Sequence, residues 1–307
     1  MISKILLVDD IQDNLDLLED LLDDEFNYGE SEYKLEFIQA VNGQDALDMV
    51  VNNTDIDLIL LDVMMPNIDG FEVCKRLKGN VLTQHIPIIF ITAKAESVDI
   101  VKGFELGASD YVSKPFQEEE LLARVKKELK IQSLIKNLEF LSSHDTMTGI
   151  YNRRKFFELA HIMFEKNRDD LYIAMIDIDK FKNINDKYGH NIGDEVIIEV
   201  TKRITQLKCK DSVFGRIGGE EFALICKAEL IDHVIDKTET IRKTIESLSI
   251  IDNGEELKFT ISVGVKAIND NIKTVEEFLN EADIALYEAK NSGRNKVVFN
   301  KKDENGI

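Results

Sequence analysis

Ile5-Leu6-Leu7-Val8-Asp9-Asp10 joins an unbroken apolar run to two carboxylates, and Leu58-Ile59-Leu60-Leu61-Asp62 repeats the arrangement. A strand with water on one face alternates apolar and polar side chains, so continuous runs predict strands covered on both faces. Similar strand-like runs lie at Leu35–Ala40, Ile86–Thr92 and Tyr111–Ser113. Between them, Leu15–Leu22, Ala46–Val51, Phe71–Leu77 and Val98–Leu106 carry the spacing of amphipathic helices. Strands that alternate with helices predict a parallel sheet layered by helices, with ligands at the carboxyl ends of its strands. Those ends are where the acids stand. The acidic stretch Asp23–Glu32 is expected to be a surface loop.

From Gln117 to about Ser142 no Pro or Gly interrupts one long helical pattern. Leu122, Val125 and Leu129 make one apolar stripe; Ile131, Leu134, Leu138 and Leu141 make a second, shifted in phase. The shift favours a helix that first packs on its own sheet and then pairs with a partner helix. Packing on its own sheet throughout is the plainer alternative. From about Ser143, strands are expected at Leu171–Ile176, Val213–Ile217, Phe222–Cys226, Phe259–Ala267 and Val297–Phe299. Helices are expected at Arg154–Lys166, Glu195–Leu207, Val234–Leu248 and Val275–Ala289. Gly218-Gly219 between two of the strands predicts a hairpin and therefore a mixed sheet.

The 307 residues suffice for two ordinary domains, and 44% hydrophobic with 31% charged residues is a globular composition. No apolar run approaches the roughly 20 residues of a membrane span, and the early acids of MISKILLVDD do not suit a secretory signal. Cys74, Cys209 and Cys226 lack metal-like or redox-like spacing, so a reducing cytoplasm is expected. A net charge of -20 repels nucleic acid, against a transcription factor. Neither nucleic acid nor a membrane is an expected partner.

Asp9, Asp10 and Asp62 would meet at neighbouring strand ends, and like charges so close call for a hard divalent cation. Thr92 ends another strand and Lys114 follows the next, ahead of Pro115. A hydroxyl and an ammonium beside a metal-bound carboxylate suit a phosphoryl group carried on that carboxylate. Taken singly, Asp9-Asp10 would be a helix cap and Lys114 a surface charge. Residues 1 to about 125 resemble a response-regulator receiver domain of flavodoxin-like fold, with a five-stranded parallel sheet. The motifs that carry the resemblance are LLVDD, LLDVMMPNIDG, ITA and DYVSKPF. It implies Asp62 as phosphoacceptor, Asp9, Asp10, Asp62 and the Met64 carbonyl around Mg²⁺, and Thr92, Tyr111 and Lys114 as the switch. A histidine kinase would be the phosphoryl donor.

Farther on, Ala174-Met175-Ile176-Asp177 ends a strand in acid, and Gly218-Gly219-Glu220-Glu221-Phe222 brings two more carboxylates. If the strands are neighbours, Asp177, Glu220 and Glu221 suit the metal ions of a nucleotidyl transfer. Guanine offers a paired N1–H and N2–H₂ donor edge that Asp194 can accept, with Asn185 nearby; alternatively Asp194 caps a helix starting near Glu195. Lys290 and Arg294 either favour a helix end or clamp phosphates. Residues 143–300 resemble the GGDEF diguanylate cyclase family, on DTMTGIYNRR, IDIDKFKNINDKYGHNIGD, GRIGGEEF, TISVGV and ADIALYEAKNSGRN. The resemblance implies an α/β, nucleotidyl-cyclase-like domain that condenses two GTP into cyclic di-GMP. It implies Mg²⁺ (or Mn²⁺) on Asp177, the Ile178 carbonyl, Glu220 and Glu221, with Glu220 the candidate base. Asn185, His190 and Asp194 would hold the nucleoside, and Lys182, Lys290 and Arg294 the phosphates.

The expected layout is a receiver at 1–125, a helical linker at 126–142 continuing the last receiver helix, the cyclase at 143–300 and a tail at 301–307. One such domain holds one GTP, so synthesis requires a homodimer, and phosphorylation would act by favouring it. A mixed GMP–AMP product and an idle GTP-binding scaffold are the rival functions. Many relatives are inhibited by their product at an Arg-x-x-Asp motif; here Cys209 and Ser212 occupy those positions, with Lys208, Lys210 and Asp211 beside them.

Overall fold

The computed structural model describes residues 2–53, 55–93, 97–166, 170–228 and 230–300; the expected tail at 301–307 lies outside them. The chain divides into two compact units between Leu138 and Glu139.

The first unit runs β1 (Ile2–Val8), α1 (Gln12–Asp23), β2 (Lys34–Ala40), α2 (Gly43–Asn52), β3 (Ile56–Asp62) and α3 (Gly70–Lys78). It continues with β4 (Ile88–Thr92), α4 (Ser97–Glu105), β5 (Asp110–Ser113) and α5 (Glu118–Ser143). All strand pairs are parallel, in the order β2-β1-β3-β4-β5. That is the expected flavodoxin-like order. The unbroken apolar strands serve two cores. Ile5, Leu7, Leu58 and Leu60 pack with α1 and α5 through Leu15, Leu18, Leu121 and Val125. Leu6, Val8, Ile59 and Leu61 pack on the other face with Ala46, Val50, Val73 and Leu77.

Of the stretch Asp23–Glu32, expected to be a surface loop, only residues 29–32 are irregular and mostly exposed. Asp24–Tyr28 forms a π-helical turn that buries Phe26 completely. The Asn27 amide fixes the turn by accepting from the Leu35 N–H at 2.8 Å and donating to the Leu35 carbonyl at 2.9 Å. One aromatic side chain outweighs the surrounding acids because its burial contributes about 1.5–3 kcal/mol while they stay in water.

Helix α5 is continuous over its 26 residues, as the absence of Pro and Gly predicted. Leu121, Val125 and Leu129 are buried, whereas Leu134, Leu138 and Leu141 are 53%, 66% and 55% exposed. The first stripe thus starts from Leu121 rather than Leu122, which is only partly buried.

The second unit contains α6 (Arg153–Lys166), β6 (Leu171–Ile178), α7 (Phe181–Tyr188), α8 (His190–Leu207), β7 (Val213–Arg216), β8 (Glu221–Lys227) and α9 (Ile231–Glu246). Then follow β9 (Ser249–Asp252), β10 (Glu255–Lys258), β11 (Ile261–Ala267), α10 (Val275–Asn291) and β12 (Val297–Phe299). The main sheet has the order β12-β11-β6-β8-β7 and is mixed, since only β11 and β12 run parallel. Ile176 faces a core shared with α8 and α9. Met175 faces one shared with α6 and α10. The small β9–β10 sheet and helix α7 were not expected from the sequence.

Candidate functional site

The parallel sheet delivers Asp9, Asp62, Thr92 and Lys114 to one edge. Asp9 and Asp62 are 1% and 4% exposed. Lys114 Nζ donates to Asp9 Oδ2 at 2.5 Å and to Asp62 Oδ1 at 3.0 Å. The Met64 N–H donates to Asp62 Oδ2 at 3.0 Å, and the Lys114 N–H to the Thr92 carbonyl at 2.8 Å. Asp9 Oδ1 also accepts from the Ile11 N–H and the Asn14 amide, so it acts both as a turn acceptor and as a partner of Lys114. Asp10 is exposed beside it. Burial pushes the Asp62 carboxyl above its usual range, and the Asp9 charge adds to this against the pull of Lys114. Burial lowers Lys114, but its two carboxylates outweigh that and hold it charged. Tyr111 stands edge-on to Phe104, centroids 6.1 Å apart, with Arg124 over its ring.

The second site is built by strand register. Asp177 on β6 lies directly opposite Glu221 on antiparallel β8, so both side chains leave the same face. The Glu220 carbonyl accepts from the Ile178 N–H at 3.3 Å, which ties the hairpin turn to the end of β6. A Cβ on Gly218 would lie 2.6 Å from Glu221 Oε2, so this glycine makes room for the carboxylate. Asp177 is 6% exposed. Burial pushes its carboxyl up to about 6, with Glu220 and Glu221 reinforcing the shift and Lys290 opposing it. Lys290 Nζ sits 2.7 Å from Asp177 Oδ2. The sequence placed Lys290 among the phosphate ligands; the fold sets it on the carboxylate. Its neighbour in the motif, Arg294, is exposed.

Helix α8 begins at His190, so Asp194 lies inside the helix and does not cap one starting near Glu195. Asn185 on α7 faces this helix start. A Cβ on Gly193 would fall 1.9 Å from Asn185 Oδ1, and that oxygen is buried without a hydrogen-bond partner. The close approach of this oxygen is what requires glycine at position 193. Lys182 and His190 are exposed on the same two helices.

Among the described residues, no three His, Cys, Asp or Glu side chains are gathered closely enough to hold a metal ion. Lys114 bridges Asp9 and Asp62 in the first site, and Lys290 pairs with Asp177 alone in the second. The oxygen-only donor sets nonetheless fit a hard divalent cation, with Asp9, Asp62 and Asp177 buried and the other carboxylates more open, and the cation would take the place of the lysine on them.

Arg216 was missed by sequence reading. Its Nη1 donates to both Asp145 oxygens at 3.0 and 3.2 Å, while Nε and Nη2 donate to the Gly219 carbonyl at 3.0 and 2.7 Å. It thereby fastens the glycine turn to the segment that enters the domain. The available signal was an arginine two residues before the glycine pair together with an aspartate in DTMTG. Burial pushes Asp145 up, but the bonds from Thr148 and Arg216 outweigh it and hold the carboxyl below its usual range. A depressed carboxyl contributes stability above its unfolded pKa and loses it as pH falls through its folded value. Asp145→Asn should therefore cost about 1–2 kcal/mol at pH 7, and the deficit should vanish in acid. Denaturant melts of both proteins across pH would check this, and a gap constant down to low pH would refute it.

The turn at the positions of the product-inhibition motif folds inward. Ser212 Oγ donates to the Cys209 carbonyl at 2.5 Å, and Lys208 Nζ reaches Ser212 at 3.3 Å. Cys209 packs against the core that holds Cys226.

Comparison with known proteins agrees with this architecture. The diguanylate cyclase GGDEF domain family matches residues 142–296, and the response regulator receiver domain family matches residues 5–126. Response regulator PleD of Caulobacter vibrioides is 32% identical over 255 residues, 79% of this chain and 56% of PleD. Diguanylate cyclase DgcM of Escherichia coli is 37% identical over 171 residues, 54% of this chain and 40% of DgcM. The chain spans about half the length of the curated relatives it matches. The coiled coil and GGDEF domain of DgcB from Caulobacter crescentus, solved with c-di-GMP, superimposes with TM-score 0.54 at 26% identity. The match covers 59% of this chain and 98% of that structure. No helix among the described residues is long and apolar enough to cross a membrane. The chain belongs to the GGDEF diguanylate cyclase domain family and carries a response-regulator receiver domain ahead of that domain.

Proposed function

We propose that the chain condenses two GTP into cyclic di-GMP with release of two pyrophosphates, under control of phosphorylation at Asp62. The observation that carries the reading is the buried Asp177 carboxylate in register with Glu221 beside the glycine hairpin. Mg²⁺ or Mn²⁺, when bound by Asp177, the Ile178 carbonyl, Glu220 and Glu221, supplies charge stabilisation to the attacking and leaving oxygens. Lys290 now neutralises Asp177; released from it, the ammonium can turn to phosphate oxygens, alongside Lys182 and Arg294. Asn185 and Asp194 accept from the guanine edge with His190 against the nucleoside, and Glu220 takes the proton of the attacking 3′-hydroxyl.

Each domain presents its GTP to the α-phosphate of the other, so the working enzyme is a homodimer. The exposed stripe Leu134, Leu138 and Leu141 on α5 supports a second helix as its cover. A histidine kinase supplies the phosphoryl group to Asp62, and the need for both GTP and kinase places the enzyme in the cytoplasm. The Asp194 carboxylate favours guanine over a mixed GMP–AMP product, because its two oxygens match guanine's paired N1–H and N2–H₂ donors and adenine lacks that pair. Incubating the pure chain with GTP and Mg²⁺ and identifying the products by mass tests the reading. GTP left unconsumed, or a product other than cyclic di-GMP, would refute it.

Product inhibition should be weak. An inhibitory site at the Cys209–Ser212 turn would need a forked cation and a two-oxygen acceptor, and the thiol and hydroxyl there supply neither. Initial rates titrated with cyclic di-GMP should show no tight noncompetitive inhibition. Strong inhibition that disappears on changing Lys208, Lys210 or Asp211 would show that the neighbouring residues form the site after all.

A further inference from the structure

Gly293, Arg294 and Asn295 follow α10 with φ of 115°, 65° and 48°. Non-glycine residues keep a left-handed backbone only where their surroundings hold it. Here the hold is concentrated on Asn295. Its N–H donates to Asp179 Oδ2 at 3.0 Å. Its side-chain oxygen accepts from Arg242 Nη1 at 2.6 Å, and its amide nitrogen donates to Glu246 Oε1 at 2.7 Å. The amide is thus bound by a cation on its acceptor side and an anion on its donor side, which leaves it one orientation.

The anchors are themselves fixed. Asp179 is 7% exposed and accepts from Thr260 Oγ1 at 2.7 Å and Ser262 Oγ at 2.6 Å. Arg242 is also 7% exposed, and its guanidinium is held by Glu239 and Glu246. Asp179 stands two residues beyond Asp177 on the same strand end, so the turn is tied to the strand that presents the buried carboxylate. Between this clamp and the end of α10 stands Arg294, its N–H donated to the Ala289 carbonyl at 3.0 Å and its side chain exposed.

We propose that Asn295, clamped by Asp179, Arg242 and Glu246, is a positioning residue that fixes Arg294 for the terminal phosphates of GTP. This rests on the cyclase reading. An exposed arginine on an unheld turn would sample many positions, and a bidentate phosphate contact would lose its geometry.

The test uses the full chain with GTP, GMP and Mg²⁺. Asn295→Ala and Arg294→Ala should each raise the KM for GTP about tenfold, the scale of one charge-assisted hydrogen bond, with kcat unchanged. The double variant should be no worse than Arg294→Ala alone, because the first residue acts only through the second. Affinity for GMP, which lacks the terminal phosphates, should stay constant in calorimetry. Glu246→Gln keeps an oxygen for the Asn295 amide while Glu239 still holds Arg242, so it should raise the KM less than Glu246→Ala, which should follow Asn295→Ala. This second pair decides the matter if Asn295→Ala fails to fold. Additive losses, or GMP affinity falling together with that for GTP, would overturn the role of Asn295 while leaving cyclic di-GMP synthesis by the parent intact. A parent chain that binds no GTP would overturn the cyclase reading and this role together.

Discussion

Glu220→Gln is expected to lower the turnover of cyclic di-GMP synthesis by at least about 100-fold, the scale of a positioned acid–base group. The substitution keeps the size of the side chain and removes its charge. The backbone at this position should not move, because the Glu220 carbonyl is already bonded to the Ile178 N–H and Arg216 grips the Gly219 carbonyl next to it. What is lost is the candidate proton acceptor and a negative charge that acts on Asp177. In the proposed reading guanine is held elsewhere, by Asn185 and Asp194 on α7 and α8, so GTP binding should fall far less than the rate. That split separates a chemical role from a structural one. Initial rates with product identified by mass, beside GTP affinity from calorimetry, would read both. Near-normal synthesis by Glu220→Gln would remove it from the site.

The legible parts of the fold were those whose burial leaves a continuous pattern. The runs at Ile5–Val8 and Leu58–Leu61 could only be strands covered on both faces, and the cores on either side of the sheet are what covers them. The unexpected parts bury little. Helix α7 spans eight residues, places only Phe181 and Ile184 inside, and starts after Lys180 at φ 55°. Three asparagine and aspartate side chains in KFKNINDKYGH compete for backbone hydrogen bonds and weaken any helical pattern there. The β9–β10 hairpin carried its signal in Asn253-Gly254, whose φ values of 48° and 86° suit a tight two-residue turn. Its strands are four residues each and mostly exposed, and that hid them. The π-helical turn at Phe26 was hidden by its acidic neighbours.

The sites divide in the same way. Motifs that are short in sequence, such as GGEEF, were readable because the register of one hairpin sets their geometry. Pairings between distant segments were not. Lys290 on Asp177, Arg216 on Asp145 and Asn295 on Asp179 depend on where α10, the entry segment and the last turn return to the sheet. Local spacing carries no information about such a return. For Asp194 the structure removes the alternative of a helix cap, because the helix starts a turn earlier than its apolar stripe suggested.

Asp62→Asn should abolish activation by a phosphoryl mimic such as beryllium trifluoride, which in the parent chain should raise dimer population and cyclase rate together. Asp62 Oδ1 and Oδ2 are occupied by Lys114 and the Met64 N–H. A phosphoryl group on this carboxylate must draw Lys114 to its own oxygens. The Lys114 N–H is bonded to the Thr92 carbonyl, and Tyr111 lies on the neighbouring strand, so the change reaches β4 and β5 directly. Helix α5 follows β5 and carries the exposed leucines. A modest shift at this end can therefore favour pairing of the helices, and pairing raises the effective concentration of one GTP-bearing domain for the other. At protein concentrations below the dimer dissociation constant, the rate should rise by at least about tenfold. Asparagine has no oxygen anion to receive the group, so Asp62→Asn should remain at its basal rate with GTP affinity unchanged. Sedimentation and initial rates would be measured on the same samples. Equal activation of Asp62→Asn would sink the assignment of the phosphoacceptor. A rate that rises in the parent chain with no change in sedimentation would keep Asp62 as the input and eliminate dimerisation as the switch.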